Sequence, residues 1–175
     1  MLNRLANKQC VSLYLYIQPS LDSTLLIDAV RLRQIIVNII GNAIKFSQGT
    51  TREPQIFAEF TLVRVNSKNY SIECEISDNG IGISPEHITK LFSPFVQADD
   101  STSKQFGGTG LGLSITQQLV KLMGGGITVE SEVDRGSHFS ITLPIIQVAS
   151  KNKDRRLVGY NINLLWPQNA TWFEY

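Results

Sequence analysis

Asn38, Asn42 and Lys45 recur at i, i+4 and i+7 along an otherwise apolar stretch, residues 28–47. Two amides and an ammonium on one stripe of a core helix must be answered by partners, because an unpaired buried polar group costs about 1–3 kcal/mol. Water could answer them, and so could a charged ligand. Two glycine-rich segments downstream supply what a ligand would need. In the first, Asp78-Asn79-Gly80-Ile81-Gly82-Ile83, an aspartate at a strand's end can accept hydrogen bonds. Its two glycines allow close approach or positive φ, as in an ordinary tight turn. The second, Gly107-Gly108-Thr109-Gly110-Leu111-Gly112-Leu113, opens directly into an apolar helix. Free backbone N–H groups at the positive end of a helix dipole bind phosphate oxygens. The loop is neither of the two common phosphate signatures, since it lacks the Gly-x-x-x-x-Gly-Lys-Ser/Thr pattern of one and follows a polar run rather than the strand that the dinucleotide fingerprint requires.

The elements that must position these residues are legible from periodicity. Leu32, Ile35, Ile36, Ile39, Ile40 and Ala43 repeat every three or four residues, predicting a packed helix capped by Asp28. Residues 10–17 and 24–27 read as strands, while 55–65 and 70–77 alternate as an antiparallel hairpin. Ser84-Pro85-Glu86 marks a short helix to about Leu91. Phe92 and Phe95 flank its stop as a small satellite core anchoring the polar run 96–106, which is too poor in apolar residues to pack and is expected to be mobile without ligand. The helix after the second glycine segment runs to about Met123, strands follow at 127–133 and 137–143, and Pro144 ends the last.

The whole chain bounds the function class. Its 175 residues are 42% hydrophobic, enough for one sizeable core. Sixteen Lys and Arg against fifteen Asp and Glu leave a net charge of +1, which makes no case for a nucleic-acid binder. Cys10 and Cys74 lie in strand-like runs and read as buried thiols, and His87 and His138 have no companion at metal-ligand spacing. His138 reads as a strand-surface residue. There is no signal-peptide pattern and no run of about 18 apolar residues, so no direct membrane insertion is expected.

Taken in order, these motifs resemble the catalytic ATP-binding domain of sensor histidine kinases, and the Asn-Ala-Ile-Lys-Phe variant with its long lid is similar to that of the hybrid type. The wider family also holds type II topoisomerases, mismatch-repair ATPases and heat-shock chaperones. Residues 38–46 look like its asparagine box, 78–82 its first glycine box, 92–95 its phenylalanine box and 107–112 its second glycine box. The resemblance implies an α+β fold: a two-layer sandwich whose mixed, mostly antiparallel sheet is covered on one face by helices, with ATP between helices and a lid at 96–106. It implies ATP and Mg²⁺ as ligands. Asn42, with Asn38 beside it, would hold the metal, and Lys45 and Lys104 would approach the phosphates. Asp78 would accept the adenine amine, with Gly80 and Gly82 admitting the base. Phe46, Ile83, Phe95, Gly108, Thr109, Gly110, Leu111, Gly112 and Thr142 would border the nucleotide.

A glutamate in the ATP-hydrolysing relatives stands where this chain has Asn38, and an amide cannot act as that base. Transfer to a protein nucleophile is therefore expected over hydrolysis. A self-contained ATPase is the less favoured alternative, and a module of the same fold that has lost transfer is another. Lys104 replaces an arginine common in the family, losing its bidentate fork. Neither histidine lies in a phospho-acceptor motif, so the acceptor is expected on a separate or missing domain. Residues 1–9 then read as the remnant of a preceding dimerisation and phospho-acceptor domain, 10–148 as the catalytic domain, and 149–175 as a linker with a truncated or degenerate receiver-like start. The implied partners are that acceptor domain and a downstream response regulator or receiver, in a homodimeric parent. The implied setting is a cytoplasmic domain of a parent anchored in the cell membrane.

Overall fold

The computed structural model describes residues 2–18, 25–48, 50–66, 69–95 and 110–147, with only the backbone of Leu25, Leu26, Ile146 and Gln147. The elements in order are α1 (Leu2–Lys8), β1 (Ser12–Ile17), β2 (Leu25–Leu26), α2 (Ala29–Phe46), β3 (Gln55–Arg64), β4 (Tyr70–Asp78), α3 (Pro85–Ile88), α4 (Gly112–Leu122), β5 (Gly126–Glu132) and β6 (Gly136–Gln147). The sheet runs β1-β3-β4-β6-β2, with β5 on β6. Only β1 and β3 pair in parallel; the other pairs are antiparallel.

α2 forms where the apolar period places it. Asp28 caps it by accepting from the N–H groups of Val30 and Arg31, each at 3.1 Å. Ile35, Ile39, Ile40 and Ile44 are fully buried along its length. They pack on the inner face of the sheet, which presents Ile56, Ile72, Ile76, Ile141 and Leu143. Such a two-period match, 3.6 on the helix and 2 on the strands, is what closes a two-layer core. The other sheet face has no helix on it among the described residues. Glu73 and Glu75 alternate onto that face, and so does His138, whose Nε2 lies 2.8 Å from Glu75 Oε2 and whose Nδ1 lies 2.7 Å from Ser77 Oγ.

Three details depart from the sequence reading. β6 does not stop at Pro144 but continues to Gln147. Pro144 falls between Thr142, the last position paired with β5 there, and Ile146, where pairing with β2 begins. At that point β6 has a neighbour on one side only, which is where a strand tolerates a missing N–H. Cys10 is exposed in a turn at φ 54, whereas Cys74 is buried as expected. Burial, with Glu75 and Glu73 adding to it, pushes the Cys74 thiol far above its ordinary value, so it stays protonated and inert. Finally, α1 joins this same core through Leu2 and Ala6.

Candidate functional site

The site is assembled around α2. Its polar stripe faces away from the sheet, with Asn38, Asn42 and Lys45 all half-buried. At its C-terminal end, the Phe46 carbonyl accepts from the Ile81 N–H at 3.1 Å, which fastens the first glycine segment to the helix. Eight residues earlier, Asn38 Nδ2 donates to Thr116 Oγ1 of α4 at 2.7 Å. With a rise of about 1.5 Å per residue, the stripe therefore spans roughly 12 Å between the two glycine segments. α2 is the floor that both share.

The Asp78 end is tightly held. Asp78 Oδ1 accepts from the Gly80 N–H at 2.9 Å. The Ser137 N–H, from the residue paired with Asp78 across the ladder, also donates to this carboxylate. Burial nevertheless dominates, and raises the Asp78 carboxyl from 3.8 to about 6, with the two N–H bonds pulling the other way. A Cβ at position 80 would enter the Phe46 carbonyl and the Asp78 carboxylate, so only glycine fits. Asn79 secures the turn from outside: its Oδ1 accepts from the Gln55 N–H and its Nδ2 donates to the Glu53 carbonyl, both at 2.8 Å. On the far side, the Asp134 N–H donates to the Ile81 carbonyl at 2.8 Å, and the Ile83 N–H to Ser131 Oγ at 2.8 Å.

Gly82 sits at φ 68, with the Glu132 carbonyl where a side chain would go. Gly82→Ala is expected to destabilise the fold by at least about 2–3 kcal/mol, combining left-handed strain with a backbone clash. Urea unfolding measures this; a variant within about 0.5 kcal/mol of wild type would contradict the packing described.

Lys45 Nζ lies 4.5 Å from the centroid of the Phe46 ring, and desolvation lowers its pKa from the ordinary lysine value. Asn42 makes no side-chain hydrogen bond among the described residues. Gly110, at φ 68, turns the chain into α4, whose N-cap Leu111 has no side-chain cap bond. Among the described residues no side chain answers the first N–H groups of that helix.

Of the residues singled out from sequence, Asn38, Asn42, Lys45, Phe46, Asp78, Gly80, Gly82, Ile83, Gly110, Leu111 and Gly112 lie on these three connected segments. Lys104, Gly108 and Thr109, the expected lid at 96–106 and the tail 149–175 lie outside the described residues. Phe92 packs against the core, but Phe95 is 75% exposed at φ 62, so the satellite core holds for the first phenylalanine and not the second. Thr142 is misplaced as a pocket residue. It pairs with Glu73 and is exposed on the outer sheet face, opposite to the face toward which Asp78 continues the Ile72, Cys74, Ile76 alternation. Ser137 is the residue of that strand that reaches the site. Its position directly after Gly136 was a local signal, but identifying it required the β4–β6 register. His87 is tied to its helix cap, Ser84 Oγ, at 2.9 Å, and His138 lies on the outer face.

Comparison with known proteins agrees with this fold. The family described as "Histidine kinase-, DNA gyrase B-, and HSP90-like ATPase" matches residues 27–147. Autoinducer 2 sensor kinase/phosphatase LuxQ of Vibrio vulnificus is 40% identical over 136 residues, covering 77% of this chain and 15% of LuxQ. Hybrid signal transduction histidine kinase B of Dictyostelium discoideum is 40% identical over 134 residues, covering 77% of this chain and 7% of that protein. The chain thus spans a small part of these relatives. Among solved structures, full-length ShkA in complex with AMPPNP superposes with a TM-score of 0.65 at 27% identity, covering 84% of this chain and 28% of ShkA.

Proposed function

Because this chain belongs to the histidine kinase-, DNA gyrase B- and HSP90-like ATPase family, we propose that it binds Mg·ATP and supplies the γ-phosphate to a histidine of a phospho-acceptor domain in two-component signalling. The observation that carries this reading is the span of α2, whose polar stripe runs from Asp78 and Gly80 at one end to the capless N-terminus of α4 at the other. A base and its phosphates need such a bipolar site.

The residues present fit that ligand. Asp78 offers a carboxylate fixed by two N–H donors, and Gly80 keeps its flank open. Gly110, Leu111 and Gly112 present backbone N–H groups toward phosphate oxygens, and Lys45 adds charge. Lys104, Gly108 and Thr109 of the same glycine-rich region are assigned to the phosphates as well. Asn42, whose amide is unengaged among the described residues, and Asn38 would hold Mg²⁺, a cation that accepts oxygen ligands and would neutralise phosphate charge when bound. Asn38 cannot deprotonate water, so the site favours attack by an imidazole nitrogen. That nitrogen forms a bond to the γ-phosphorus as the bond to the bridging oxygen breaks, and ADP leaves.

Both histidines of this chain are used structurally, so the acceptor is assigned to another domain of the parent, a homodimer, with a receiver or response regulator downstream. A cytoplasmic setting follows from the need for ATP. Among the described residues no helix is long and apolar enough to cross a membrane. Incubating the chain with labelled ATP and the acceptor helices of its parent is expected to give an acid-labile, alkali-stable phosphohistidine. ATP binding without any such label would instead favour a regulatory module, and phosphate release at turnovers per second without acceptor would favour an ATPase.

A further inference from the structure

Asn38 and Thr116 are 78 positions apart, yet the Asn38 Nδ2 donates to Thr116 Oγ1 at 2.7 Å. Thr116 is 1% exposed and Asn38 is half-buried, so the threonine hydroxyl is held away from water at the contact. The other end of the same amide, Oδ1, lies against Gly112, where any side chain would collide with it. Gly112 and Thr116 are one turn apart on α4. The amide of Asn38 therefore spans one turn of that helix, its oxygen on the first residue and its nitrogen on the fifth.

The polarity of this contact has a physical cause. The first turn of an α-helix carries N–H groups without intrahelical partners, and among the described residues no side chain caps that of α4. An amide oxygen is favoured at that positive end. A threonine within a helix can direct its own hydrogen to the carbonyl one turn earlier, which leaves its lone pairs to accept from Asn38.

We propose that Thr116 is a positioning residue for the ATP phosphates: by holding the Asn38 amide, it fixes the N-terminal turn of α4 against α2 so that both helices serve the same phosphate groups. This rests on the Mg·ATP reading above. It also divides the labour between the two asparagines. The Asn38 nitrogen is committed to α4, so toward the cation Asn38 can offer only its oxygen, whereas the Asn42 amide makes no side-chain hydrogen bond among the described residues and is the freer ligand.

Thr116→Val keeps the β-branched shape and removes the acceptor, and Thr116→Ala removes it without valine's bulk. In calorimetry on the full chain, either variant is expected to bind a non-hydrolysable ATP analogue with Mg²⁺ about 3- to 10-fold more weakly, the worth of one buried hydrogen bond. Adenosine, which lacks phosphates, should bind within about twofold of wild type, and Thr116→Ser should restore the analogue's affinity. In the Asn38→Ala, Thr116→Val double variant the combined loss should fall short of the product of the single losses, as for partners in one contact. The proposal is overturned if both threonine variants bind the analogue as wild type does, or lose adenosine and analogue equally, as general softening would cause. A wild type that binds neither ligand overturns the ATP reading itself, and the positioning role with it.

Discussion

Asp78→Asn is expected to weaken ATP binding about 100-fold while leaving the folded protein more stable at neutral pH. The loss follows from replacing a carboxylate acceptor by an amide whose nitrogen would oppose the adenine amine: a charge-assisted hydrogen bond goes and an unpaired donor comes. The gain follows from burial. With its carboxyl raised to about 6 from an ordinary 3.8, Asp78 binds its proton more tightly folded than unfolded. Its contribution to stability is fully present below the unfolded pKa and is lost as pH rises through about 6, a swing of roughly 3 kcal/mol. Asparagine stays neutral throughout, and its Oδ1 can still accept from the Gly80 N–H. Thermal unfolding of the variant should therefore exceed wild type by several degrees at pH 7, with the difference closing toward pH 4. Wild-type nucleotide affinity should fall as pH drops through about 6. An affinity that is flat from pH 5 to 7.5, or a variant that binds ATP normally, would contradict the role given to Asp78.

Asn42→Ala should cost more in transfer than in anything else. Removing one electrostatic ligand from a phosphoryl site is worth roughly 10²–10³ in rate, and the loss should appear as weaker Mg²⁺ dependence rather than as weaker adenosine binding. The apo fold should tolerate the change within about 1 kcal/mol, because Asn42 has no side-chain bond to lose among the described residues and alanine is the better helix former. A magnesium titration of analogue binding, with parallel adenosine titrations, measures this. Unaltered magnesium dependence would remove Asn42 from the metal.

Local signals carried much of this architecture. The period of α2, its Asp28 cap, the β3–β4 hairpin and the first glycine segment are short-range patterns, and each formed where its residues predict. Non-local pairing was not legible in the same way. Nothing in residues 12–17 or 55–60 announces that they pair in parallel, with α2 intervening. The same limit explains Thr142 and Ser137: alternation separates two faces of β6, but only the register against β4 reveals which end of the strand meets Asp78. The Asn38–Thr116 contact is of this kind too, since the sequence marks Asn38 as needing a partner but nothing in it points to a residue 78 positions away.

Asn79, between Asp78 and Gly80, has a consequence for timing. With its side chain bonded to Glu53 and Gln55, and its neighbours bonded to Phe46, Asp134 and Ser131, the end proposed to take the base is completed by the same events that zip β3, β4 and β6 together. Its ordering entropy is settled during folding and is not charged to the nucleotide on arrival. Amide hydrogen exchange at Gly80, Ile81 and Ile83 should accordingly be as slow as in the central strands before any ligand is added. The nucleotide would then meet a rigid socket at its base, and whatever conformational selection accompanies binding would be confined to the phosphate end.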